Sequence, residues 1–194
     1  MKTPPYRRRY TSFALCGLSC GLCPMFHIGE TTGCPGCGGE GAQKCRFVKC
    51  ALECGGIEYC FECEKYPCEK YDGFTAFDSF LVHRNVHKDF AKAKEIGLGA
   101  FQARMDEKVE ILRYLLKNFN DGKRKTFFCV AATLLDLDDL KTVLEQIKTA
   151  IASRSSMRKN AEMVAGLFQA MAEHRNLVLK LNRMKRSKGK KTVD

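Results

Sequence analysis

The 194-residue sequence has no tryptophan, only four histidines and only five prolines. No stretch approaches the ~20 consecutive apolar residues of a membrane span, so no contact with a membrane is expected. No apolar–polar alternation runs beyond a few residues, so no strand is predicted. No nucleophile elbow, phosphate-cradling glycine loop or metalloprotease histidine pair occurs, and no catalytic residue is nominated. No internal repeat is evident in the sequence. Glycine is scarce after Gly73, since eleven of the 16 glycines lie between Gly17 and Gly73.

Cysteine, by contrast, is abundant and concentrated. Eleven of the 12 cysteines lie between Cys16 and Cys68, and only Cys129 lies outside. About 60 residues rich in glycine bury too little apolar surface to fold unaided. Such a segment needs staples, either disulfides or metal, and the redox compartment decides which. Arg7, Arg8 and Arg9 before Phe13-Ala14-Leu15 loosely imitate an export signal. The apolar run is short and interrupted by cysteines, and no small-residue cleavage site follows. A cytoplasmic location is therefore expected, which favours bound metal over disulfides.

The spacing of the cysteines supports that expectation. Cys16-Gly-Leu-Ser-Cys20-Gly-Leu-Cys23-Pro24 is followed by Cys34-Pro-Gly-Cys37-Gly38, then Cys45, Cys50 and Cys54. The last group is Cys60-Phe-Glu-Cys63-Glu-Lys-Tyr-Pro-Cys68. Two intervening residues let a tight turn aim two sulfurs at one ion, and a following glycine supplies left-handed backbone. The candidate metal ligands are Cys16, Cys20, Cys23, Cys34, Cys37, Cys45, Cys50, Cys54, Cys60, Cys63, Cys68 and His27. At four ligands per closed site these allow two or three Zn2+ ions. Iron–sulfur clusters also take four thiolates, so a cluster is the alternative. The C-x3-C-x2-C spacing of Cys16, Cys20 and Cys23 is shared with radical S-adenosylmethionine enzymes, but this chain lacks the length and strands of their barrel. Cys20–Cys23 and Cys60–Cys63 also have the spacing of redox-active thiols. His83 and His87 stand four apart, and Cys129 sits within an apolar run that suits a core.

These groups together resemble a prokaryotic cysteine-rich family known as a domain of unknown function. Its pattern is C-G-x-x-C-x-x-C-P, then C-x-G-C, two further cysteines and C-x-x-C-x-x-x-P-C. The resemblance covers residues 14–150 and is most specific in the cysteine segment. Cys54 is additional to the pattern. The resemblance implies a soluble metal-binding protein and brings no established reaction.

Helical spacing begins at Phe74. Phe77, Leu81, Phe90 and Ala93 predict one helix ending near Gly97. Phe101, Met105, Val109, Leu112, Leu116 and Phe119 predict a second, stopped by Asn120-Asp121-Gly122. Phe127 to Leu135 predicts a short buried helix. Asp136 or Asp138 is placed to cap the next, with Leu140, Val143, Leu144, Ile147 and Ile151 inward. Ser155 or Ser156 is placed to cap a last helix through Met157, Ala161, Val164, Phe168 and Met171, running into the tail.

The predicted fold is mainly α, with a small irregular cysteine-rich metal-binding module followed by an α-helical bundle. Its expected parts are a basic arm (1–12), the module (13–73), a helical domain (74–152), a long C-terminal helix (153–186) and a basic tail (187–194). The net charge is +11, and residues 1–15 and 180–194 carry ten of those charges. Basic ends of this kind allow salt-dependent, sequence-blind nucleic-acid binding. The leading expectation is instead a zinc-stabilised module that binds another protein. The alternative is an iron–sulfur electron-transfer or accessory protein.

Overall fold

The computed structural model describes residues 6–29, 32–40, 45–150 and 156–184. The protein is mainly α, with six α-helices and no strand among the described residues. No helix there is long and apolar enough to cross a membrane. In the cysteine-rich half, α1 (Arg46–Glu53) stands among short 3-10 turns at Cys20–Leu22, Cys60–Glu62 and Glu69–Tyr71. The helical half holds α2 (Val86–Ile96), α3 (Leu98–Phe119), α4 (Lys125–Leu134), α5 (Leu137–Ala150) and α6 (Met157–His174).

Helix α3 is the hub, touching α2, α4, α5, α6 and the Cys20–Leu22 turn. Its inward residues Phe101, Met105, Val109, Leu112, Leu115 and Phe119 recur every three or four positions and are all buried, with Leu115 rather than the expected Leu116, which is half-buried, completing the stripe. It is joined to α2 by Gly97 alone, whose φ of +84° costs a β-carbon-bearing residue dearly. It ends where the sequence predicts. The Asn120 side chain accepts from Gly122 N–H at 3.2 Å, and the Asp121 carboxylate accepts from Lys123 N–H at 3.1 Å.

The apolar core runs through both halves. Phe13 is fully buried, with ring centroids 5.4 Å from Tyr59, 5.6 Å from Phe90 and 4.7 Å from Phe101. Phe13, Leu15, Leu22 and Tyr59 thus belong to the same buried cluster as α3 and α4. The described part of the basic arm is also pinned. Tyr10 Oη donates to Asp106 at 2.8 Å and lies 3.1 Å from the Gln102 carbonyl oxygen. The Arg8 side chain is only 2% exposed. Residues 6–12 of the basic arm are therefore packed onto the body of the fold. Aromatic and guanidinium groups anchor them.

Two predicted helices are shorter than expected. The first begins only at Val86, because buried Asp78 holds the preceding segment in turns. Its carboxylate accepts from His83 N–H at 2.8 Å, Asn182 N–H at 2.7 Å and Arg84 at 2.8 Å. Phe77, expected on the inward face, is 42% exposed.

The last helix stops at His174 rather than running to 186. Asn176 adopts φ +54°, Leu177 N–H reaches the Ala172 carbonyl at 2.8 Å and Asn176 N–H reaches that of Glu173 at 3.0 Å. This is a Schellman stop with asparagine in the left-handed place. Arg175 fixes the corner on buried Asp139, with Nη2–Oδ1 at 2.6 Å. The chain then returns as a strap across residues 76–84. Arg84 donates to the Val178 and Lys180 carbonyls at 3.0 Å each.

Ser156 is the N-cap of α6, accepting from Lys159 N–H at 3.4 Å. Ala161, Val164 and Phe168 are buried as predicted, but Met157 is half exposed. Leu140, Val143 and Ile147 face the core from α5. Ile151, Ser155 and the basic tail from residue 187 lie outside the described residues.

Candidate metal centre

Two of the cysteine pairs are built on the same turn. Cys20 opens a 3-10 turn closed by Cys23 N–H on its carbonyl at 3.0 Å, and Cys60 opens another closed by Cys63 N–H at 3.1 Å. Cys23 (φ −78°, ψ 137°) and Cys63 (φ −76°, ψ 133°) leave these turns in the same backbone conformation. An aromatic residue follows three positions later each time, with Phe26 N–H on Cys23 and Tyr66 N–H on Cys63, both at 3.0 Å. The C-x-x-C-x-x-aromatic unit is therefore an internal structural repeat, although the sequences around it share little else.

The first turn is brought towards Cys34 and Cys37. Cys34 N–H donates to the Met25 carbonyl at 2.8 Å, and Cys37 N–H donates to that of Thr11 at 3.1 Å. Gly36 (φ +82°) passes so close to the arm that a β-carbon would stand 2.4 Å from the Thr11 carbonyl oxygen. Burial pushes the Cys20 thiol up to about 12, and the neighbouring Cys37, Cys23 and Cys34 add to this. Burial also raises Cys23, against the opposing Met25 and Phe26 backbone groups and Lys125. Backbone groups of this kind support thiolates in metal turns.

The second turn meets Cys50 from α1 and Cys68 from the start of the Glu69–Tyr71 turn. Cys50, Cys60, Cys63 and Cys68 line one cavity of about 20 Å³, alongside Tyr71 and Lys70. Burial pushes the Cys60 thiol up to about 11, opposed by a hydrogen bond to Tyr71 and reinforced by Cys68, Cys50 and Cys63.

All twelve cysteines are free thiols. Neither set is closed to coordination distance. Sulfurs sharing one zinc at ~2.3 Å stand no more than about 4.6 Å apart. Among the described residues, no three His, Cys, Asp or Glu side chains are gathered tightly enough to hold an ion. The first set is grouped by the backbone hydrogen bonds that draw Cys34 and Cys37 towards the Cys20 turn, and the second by the cavity its four cysteines share.

The remaining candidates are distributed around them. Cys16 is buried, with Cys20, Cys37 and Cys45 among the groups that raise its thiol beyond the effect of burial. Cys45 is exposed at the start of α1. Cys54 is exposed one helical turn beyond Cys50 and hydrogen-bonds to it. His27 Nε2 donates to the Gly21 carbonyl at 2.8 Å, so its assigned partner is backbone and not a thiol. His83 and His87 do not share a helix face, since α2 starts after His83. His83 is engaged by Ser79 and the Phe74 carbonyl, and His87 by Tyr66. Cys129 is buried in α4, as a core residue would be.

One group went unnoticed in the cysteine pattern. The Arg8 guanidinium is stacked over Tyr59 at 4.4 Å, and Nη1 donates to the Phe13 carbonyl at 2.9 Å. Nε and Nη2 are buried without a hydrogen-bond partner. The Cys37 thiol lies beside them, and Glu58 is 3.8 Å from Nη2. A neutral thiol is a weak acceptor, whereas a thiolate both accepts such N–H groups and balances the charge. The donor set thus fits a metal-bound thiolate at Cys37. The signal in the sequence was Arg7-Arg8-Arg9, which reads equally well as solvated charge. Comparisons with protein-family models, with curated proteins and with solved structures find no match to this chain.

Proposed function

We propose that this chain is a zinc-binding protein with two four-cysteine centres. Cys20, Cys23, Cys34 and Cys37 would hold one ion, and Cys50, Cys60, Cys63 and Cys68 the other. The observation that carries this is the repeated Cys-x-x-Cys turn, one copy with Cys34 and Cys37 drawn towards it by backbone hydrogen bonds and the other sharing a cavity with Cys50 and Cys68.

Charge supports the same assignment. A four-thiolate zinc site is formally −2 and gains from nearby cations. Arg8 and Lys125 lie near thiols of the first set, and Lys70 lines the cavity of the second. A cavity of about 20 Å³ suits a single small occupant. Zinc supplies no redox chemistry, and four thiolates leave no position for a substrate. The expected role is therefore to brace a surface presented to another protein, in a cytoplasmic setting where thiols stay reduced.

Cobalt(II) titration of metal-free protein tests this. Thiolate-to-cobalt charge-transfer absorption should saturate at two equivalents, and Cys20→Ser and Cys63→Ser should each remove one tetrahedral centre. Saturation without tetrahedral bands, or an unchanged endpoint in both variants, rules the assignment out.

A further inference from the structure

A cleft of about 480 Å³ opens between α2, the first half of α3 and the start of α5. Three ion pairs close around it: Lys88–Asp136 at 3.1 Å, Lys92–Glu95 at 2.9 Å and Arg104–Asp138 at 3.6 Å. A fourth acid and a fourth base, Asp89 and Lys108, line the same cleft. Among the described residues neither has an opposite charge within 4.0 Å. The Ser19 hydroxyl donates to Asp89 Oδ2 at 3.2 Å, leaving Oδ1 and the Lys108 Nζ without a hydrogen bond from the described residues.

Both side chains are half-buried on the cleft wall and attract one another without pairing. Burial raises the Asp89 carboxyl to about 6 despite the opposing pull of Lys108, Ser19 and Lys88. Burial lowers the Lys108 ammonium despite the opposing pull of Asp89 and Asp136. An incoming pair of opposite charges would relieve both, whereas a simple anion or cation would relieve one and leave the other. Ala91, Phe101, Met105 and Leu137 add an apolar wall.

We propose that this cleft binds a small zwitterion, an α-amino acid with an apolar side chain, placing its ammonium on Asp89 and its carboxylate on Lys108. The side chain lies against Phe101, Met105 and Leu137. Few convergent polar groups above an apolar wall are the usual makings of a small-molecule site. The proposal does not rest on the metal assignment above, since no cysteine lines the cleft.

Calorimetric titration of the full chain with L-leucine, L-methionine and L-phenylalanine tests it. At least one should bind saturably. N-acetyl-leucine, which lacks the ammonium, and leucinamide, which lacks the carboxylate, should bind about tenfold to a hundredfold more weakly than leucine. Asp89→Asn and Lys108→Met should cause comparable losses, while Lys117→Met, at the far end of α3 and outside the cleft, binds as the unaltered protein does. Far-UV circular dichroism establishes that each variant is folded. If Asp89→Asn is not, Lys108→Met and the two blocked ligands still decide. Absence of saturable binding by all three amino acids overturns the proposal, as does equal binding of the blocked forms.

Discussion

Cys23 and Cys63 leave their turns within a few degrees of one another, yet the two turns sit in different surroundings. The Cys20–Leu22 turn is packed against α3 and α4, and a β-carbon on Gly21 would stand 2.7 Å from Val109. Arg8 and Thr11 close over its partner pair. The Cys60–Glu62 turn has no comparably extensive helix contact and lies nearer the surface, with exposed Cys54 beside Cys50. The same backbone device is thus built into the core at one place and set at the edge at the other. Metal lost from the first should disturb the whole fold, and metal lost from the second should act locally.

The largest expected effect comes from the side chain that joins the first set to the bundle. Phe13→Ala should cost about 3–5 kcal/mol in urea unfolding. A cost below ~1 kcal/mol would mean that the two halves do not share a core. Next in size is the contrast between the two centres. Cys20→Ser should lower stability by about 3 kcal/mol or more, and Cys63→Ser by clearly less, each with the loss of one metal. Equal Tm shifts in thermal unfolding would erase the distinction drawn here.

Arg8→Met should weaken metal retention at the first centre by roughly 1–3 kcal/mol and leave the second unchanged. A chromophoric chelator reads this as faster release of one of two ions, and faster release of both would contradict it.

Asp89 bears on the same comparison, because it holds Ser19, the residue before Cys20. Its folded carboxyl titrates near 6 against an ordinary value of 3.8, so the native state keeps its proton longer than the unfolded chain. Its contribution is therefore present below pH 3.8 and lost as pH rises through about 6. The expected loss is up to ~3 kcal/mol across that window. Asp89→Asn should remove that slope from the pH dependence of stability, and an unchanged slope would place the titration elsewhere. The smallest effect belongs to the end of α6. Asn176→Ala should cost about 1 kcal/mol, and Asn176→Gly should cost nothing measurable in denaturant unfolding.

The helical half was legible where apolar residues recur at helical spacing and a turn signal follows, as in α3 and its Asn120-Asp121-Gly122 stop. Ser156 was legible as a cap for the same local reason. The early end of α6 was not, because Asn176 stops the helix only with the support of the distant Arg175–Asp139 pair. The late start of α2 likewise depends on Asp78 meeting Asn182, a contact over a hundred residues apart in sequence.

Within the candidate site, spacing marked out the pairs but carried no information on which pairs face each other. That depends on α1 delivering Cys50 and on Thr11 drawing in Cys37. Nor could spacing separate Arg8 from its neighbours Arg7 and Arg9, since burial against Tyr59 is what distinguishes it.

The central claim is that two sets of four thiolates each hold a zinc ion. It is tested most directly by measuring zinc, iron and acid-labile sulfide per chain in protein purified without air. The account predicts two zinc ions and no sulfide. Stoichiometric iron with sulfide, or eight freely reactive thiols in those two sets with no metal bound, would contradict it.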